Sequence, residues 1–184
     1  MLSDSQIQEF AAKMHIPLEC VCFKNELPKT LKFNQFYIIN MQNELDAEGR
    51  PNPGSHWCSF QIQKEGGDIR PIYFDPFGIG PPLEVSDAVE TFCGKKLPHC
   101  SKDIQNLMAD CCGWYNLALG HWLNSEKYRT GNIYSDCDSF LDMFLDLSVE
   151  HEWKQNEFVL KHFFRSDDPS ERVPIEISEN ITKF

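Results

Sequence analysis

Residues 112–124 read Cys-Gly-Trp-Tyr-Asn-Leu-Ala-Leu-Gly-His-Trp-Leu-Asn, a run that is apolar on almost every side. A surface helix carries one apolar stripe, whereas a helix that is hydrophobic all round has to be covered all round. The stretch therefore predicts a central, buried helix that opens at Cys112. Upstream, residues 56–63 (HWCSFQIQ) and 71–74 (PIYF) read as strands, joined through the hairpin-type turn Glu65-Gly66-Gly67-Asp68. Strands packed on a buried helix make the fold class α+β, a central mixed or antiparallel sheet with the Cys112 helix against it and further helices around.

The remaining pattern fills in the surroundings. Ser3 to Met14 has Ile7, Phe10, Ala11 and Met14 on one helical face, with Ser3 or Ser5 as cap, and stops before Pro17. Phe33 to Met41 is aromatic and β-branched, as a buried strand is, and Gly49 to Gly54 is a turn by composition. Val85 to Cys93, Ser139 to Leu147 and Glu157 to Phe164 read as helices, the mixed polar segment from Lys95 to Asp110 as a loop, and the last twenty residues as an acidic, peripheral tail.

With 184 residues and 41% hydrophobic content, the chain suits one domain spanning 1–184 with a proper core, and we expect a monomer. No stretch approaches the roughly 18 consecutive apolar residues of a membrane span, and the N-terminus lacks the pattern of a secretory signal, so a soluble protein made in the cytosol is expected. Lys and Arg total 17 against 28 Asp and Glu, a formal charge of -11, with no basic stripe to track phosphates. Nucleic acid is not required on this reading. The eight cysteines are read as reduced thiols, and neither Cys20-Val21-Cys22 nor Cys111-Cys112 has the spacing or the downstream partners of a zinc knuckle, so neither a metal nor any other cofactor is called for.

Four residues in order offer the parts of a thiol protease: a nucleophile, a base, a group that orients the base, and donors for an oxyanion. Cys112 opens the buried helix, where the dipole and free N–H groups favour negative charge on sulfur and on a substrate oxygen. Gly113 removes a side chain that could block the substrate backbone. His56 starts one strand and Asp75 ends the next, an arrangement that sets carboxylate against imidazole. Gln105, seven positions before Cys112, has a side-chain amide that can donate to the oxyanion.

The runs Gly54-Ser55-His56-Trp57, Tyr73-Phe74-Asp75-Pro76-Phe77-Gly78 and Gln105 followed by Asp110-Cys111-Cys112-Gly113 resemble the adenovirus endopeptidase (adenain) family and its relatives in virophages and Maverick/Polinton elements. More distantly they are similar to the proteases of SUMO and ubiquitin-like modifiers. The seven-residue step to the cysteine and the Phe-Asp-Pro-Phe-Gly run point to the viral branch, although Asp75 stands where adenain carries Glu, as it does in the cellular enzymes. The resemblance implies a papain-like, adenain-like cysteine protease fold and Trp57 as a ring beside His56 lining a narrow slot. It also implies cleavage after glycine in capsid or other structural precursors during virion maturation. The enzyme would then work in the host cytoplasm or viral factory and in the virion, with an activating peptide as a further partner. Adenain is basic and resembles a DNA-activated enzyme, whereas -11 argues against such activation here. The alternatives are a deconjugating protease for ubiquitin-like modifiers and a catalytically dead peptide-binding module.

Overall fold

Ser3 opens the first helix, α1 (Asp4–Lys13), with a capping box: its hydroxyl accepts from the Gln6 amide at 3.2 Å, and Gln6 Oε1 accepts from the Ser3 amide at 3.0 Å. The strands β1 (Leu18–Phe23), β2 (Phe36–Asn40), β3 (Trp57–Glu65) and β4 (Asp68–Phe74) follow, and then the helices α2 (Leu83–Cys93), α3 (Cys112–Asn124), α4 (Ile133–Leu141) and α5 (Trp153–Phe163). This computed structural model describes residues 1–165. The segment read as an acidic tail lies, from residue 166 onward, outside the described residues.

The four strands form one mixed sheet in the order β1-β2-β3-β4, with β1 parallel to β2 and the other neighbours antiparallel. Alternation along a strand sends successive side chains to opposite faces, and here both faces are covered. From β2, Phe36 and Ile38 join the larger cluster formed with α1, α3, α4 and α5, while Tyr37 and Ile39 join a smaller one closed by Val85 and Val89 of α2. Double coverage explains why β2 is buried at every position. Helix α3 lies within the larger cluster and is buried at ten of its thirteen residues, as the apolar run of 112–124 requires. Gly120 lets it approach the sheet: a Cβ there would come within 2.9 Å of the Phe36 ring. Among the described residues no helix is long and apolar enough to cross a membrane.

Three elements differ from the sequence reading, the last helix in starting at Trp153 rather than Glu157. The strand Leu18–Phe23 had no expectation attached to it; it is an edge strand, half-buried along its whole length, and so lacks an inside–outside alternation. The helix expected over Ser139–Leu147 lies earlier, at Ile133–Leu141, because Asn132 caps it by accepting from the Tyr134 amide at 3.1 Å. Phe140, Leu141 and Phe144 are all in the core, but Phe144 reaches it from the turn after the helix.

Candidate active site

His56 sits one residue before β3, and Asp75 one residue after β4, so the antiparallel pairing of Ser59 with Phe74 brings both to the same end of the sheet. The histidine is anchored through its backbone. Its carbonyl accepts from the Met41 amide at 3.0 Å, and Asn40, the last residue of β2, accepts through Oδ1 from the amides of Ser55 at 3.3 Å and Gln42 at 3.0 Å. Gly54 completes this anchor: its φ is +83°, and a Cβ would stand 2.7 Å from Asn40 Nδ2. Only glycine fits there on both counts.

The imidazole Nε2 of His56 lies 2.7 Å from Asp75 Oδ1, and the same oxygen accepts from the Phe77 amide at 2.8 Å. This second bond is the Asx turn that Asp-Pro sequences favour, and it holds the carboxylate still. Phe77 then lays its ring on the imidazole, with centroids 4.3 Å apart and planes 16° apart. Burial of His56 alone would push its pKa down. The hydrogen bond to Asp75, joined by the Cys112 thiol and by both groups' charges, overcomes this and raises it to about 9.

With Nε2 held by Asp75, the imidazole's other nitrogen, Nδ1, is the one left for the Cys112 thiol. Cys112 is the first residue of α3, and its sulfur lies 3.5 Å from the Trp57 amide. The carbonyl of Cys111 already accepts from the amides of Trp114 and Tyr115, and no side chain among the described residues caps the helix. The first helical N–H groups, those of Cys112 and Gly113, therefore remain available to an oxyanion.

Gln105 reaches this corner through the turn after β4, because Pro76 O accepts from the amides of Ile104 at 2.8 Å and Gln105 at 3.1 Å. Its buried side chain donates from Nε2 to Ala109 O at 2.7 Å, which ties the 105–109 loop together. One N–H of that amide remains for another acceptor.

Trp57 and Gly113 have surroundings the sequence did not suggest. The ring stacked on His56 is that of Phe77, while the Trp57 indole donates to Leu2 O at 2.9 Å and lines a cavity of about 340 Å³ with Leu2, Cys22, Asn40 and Gly54. The space freed by Gly113 is occupied by Leu2, whose Cβ and Cδ1 would each stand 3.2 Å from an added methyl. Asn40, Phe77 and Asn116 hold places here that the sequence reading did not supply. Asn116 is fully buried and donates from Nδ2 to Trp57 O and to Cys112 O, both at 2.8 Å, bridging the strand of the histidine to the helix of the cysteine. Its legible signal was an amide in an otherwise apolar helix.

Asn116→Ala would leave two buried carbonyls short of a donor, at about 1–3 kcal/mol each. A fall in the thermal midpoint of roughly 4–8 °C or more, with peptide turnover impaired, is the expected result. A midpoint within error of the parent would remove this bridge from the account.

Among the described residues no group of three or more His, Cys, Asp or Glu is placed to hold a metal ion. No protein-family model matches the chain, and no curated protein matches it either. Among solved structures, a deletion variant of AvrA with IP6 and CoA is similar at a TM-score of 0.45 and 16% sequence identity, over 96% of this chain and 75% of that one. So loose a likeness decides nothing about activity, and the proposal for this chain rests on its own geometry.

Proposed function

We propose that the chain is a cysteine endopeptidase. The observation that carries this reading is the line of three groups in which the imidazole of His56 is clamped by Asp75 at 2.7 Å and interacts with the Cys112 thiol at the start of α3. In the first step the imidazole of His56, its pKa raised to about 9, carries the proton of the Cys112–His56 pair as sulfur attacks the scissile carbonyl. The oxyanion is held by the amides of Cys112 and Gly113 and by the free N–H of Gln105. His56 gives its proton to the leaving amine, the C–N bond breaks, and a thioester to Cys112 remains. The imidazole then takes a proton from water, hydroxide attacks the thioester, and the acid product leaves as the thiol is reprotonated. Asp75 holds the ring and supports its positive charge throughout.

For the substrate, the resemblance of the three motifs favours viral or virus-like structural precursors cut after glycine, in the host cytoplasm or viral factory and in the particle. The test is a set of matched peptides with Gly or Val at the two positions before the cut. Gly peptides should be cleaved at least about tenfold faster, the difference expected when a β-branched residue must enter a pocket too small for it. Equal rates would remove the glycine preference, and no cleavage of any peptide by protein that still reacts with a thiol-directed electrophile would remove the endopeptidase reading.

A further inference from the structure

Cys20 and Cys22 point their sulfurs at each other from the same face of β1, with Sγ atoms 3.3 Å apart, close enough for the S–H of one to be directed at the other. Alternate residues of a regular strand stand about 6.6 Å apart at Cα, at the upper edge of what a disulfide spans. The two side chains are already turned toward each other across that spacing. The slip in the pairing of β1 with β2 lies just before the pair, between Leu18 and Cys20, and leaves Glu19 without a partner on β2, while Cys20, Val21 and Cys22 pair consecutively. Among the described strands β1 is also one edge of the sheet, and both cysteines are half-buried, so small oxidants can reach them. We propose that Cys20 and Cys22 form a redox-active dithiol, a modification site separate from the Cys112 constellation, which peroxides convert to an intrastrand disulfide.

The chemistry balances without a cofactor. Cys20 sulfur attacks a peroxide oxygen, the O–O bond breaks, and water leaves once the departing hydroxide takes up the thiol's proton, which makes Cys20 a sulfenic acid. Cys22 sulfur then attacks Cys20, the S–O bond breaks, the S–S bond forms, and a second water leaves with the Cys22 proton. The contact favours this order when Cys22 is its donor: the S–H given to Cys20 lowers the Cys20 pKa and holds the Cys22 pKa up, and the reverse assignment exchanges the two roles. The sulfurs have to close by about 1.2 Å to reach bonding distance. Cys22 also lines the cavity shared with Trp57, Asn40 and Gly54, so the bond would be felt beside the loop that anchors His56.

The experiment uses the full chain carrying Cys112→Ser, so that the Cys112 thiol does not consume oxidant and the result does not depend on peptide cleavage. The protein is titrated with hydrogen peroxide, quenched, alkylated with N-ethylmaleimide and mapped by mass spectrometry. The peptide holding Cys20 and Cys22 should lose two hydrogens and refuse the label at a dose about tenfold below that which oxidises the half-buried Cys93 and Cys100. Dithiothreitol should restore labelling, and Cys20→Ser should leave Cys22 labelled at that dose. Labelling of both thiols at a dose that already oxidises Cys93 or Cys100 would overturn the proposal, as would a disulfide from either thiol to another cysteine.

Discussion

Cys112→Ala protein should cleave no peptide, a loss of at least about 10⁴-fold, and take no label from a glycine-ending electrophilic peptide. Cys111→Ala should keep most activity and lose about 1 kcal/mol of stability. The two thiols are neighbours, but adjacent residues at a helix start point about 100° apart, so one sulfur at most faces the imidazole. Cys112 is the one with a tie to the histidine's strand, through the Trp57 amide at 3.5 Å. Cys111 is fully buried in the larger core cluster, and burial, with the charges of Glu157 and Cys112 nearby, pushes its pKa well up. A core thiol with its proton held this firmly is a poor nucleophile. Mass spectrometry of the labelled parent should find one adduct, on Cys112. An adduct on Cys111 would shift the motif by one residue and bring the step from Gln105 to six, as in the proteases of ubiquitin-like modifiers.

Which parts of this arrangement were legible follows from which signals are local. Helix α3 could be read to the residue because its hydrophobicity has no polar side, and the hairpin because Gly66-Gly67 separates two runs rich in β-formers. β1 escaped notice because a half-buried edge strand such as Leu-Glu-Cys-Val-Cys-Phe mixes its faces. α4 was placed late because Phe140, Leu141 and Phe144 look like one helical stripe, although a turn delivers the last of them. His56, Asp75, Gln105 and Cys112 could be nominated from their order. Their anchors could not, because those contacts cross long stretches of chain: Asn40 to Ser55, Phe77 onto His56, Asn116 to Trp57. A buried amide such as Asn40 or Asn116 is a weak signal in sequence and becomes an argument only once its partners are known.

Asp75→Asn should cut kcat/KM by between about 10² and 10⁴ and move its alkaline limb down from near pH 9 toward the ordinary histidine value of 6.5. The substitution keeps the size of the side chain and an oxygen for His56 and the Phe77 amide, but removes the charge. It also sets an NH₂ group where Asp75 Oδ2 is buried without a partner among the described residues, leaving a donor with no acceptor there or turning the amide against the imidazole. Burial then dominates, and the imidazole gives up its proton at lower pH, so the acid that must protonate the leaving amine is lost earlier. Stability should follow the same sign. Because the folded pKa of His56 is raised, the native state holds that proton more tightly than the unfolded chain does. The stabilisation, on the order of 3 kcal/mol at most, is whole below about pH 6.5 and is lost as pH rises through about 9. Urea unfolding of the parent should therefore weaken between those two values, and that of the Asp75→Asn variant much less. The measurements are kcat/KM against pH and urea midpoints on both sides of that window. A variant whose alkaline limb and midpoint trend coincide with the parent's would mean that Asp75 does not hold the proton on His56.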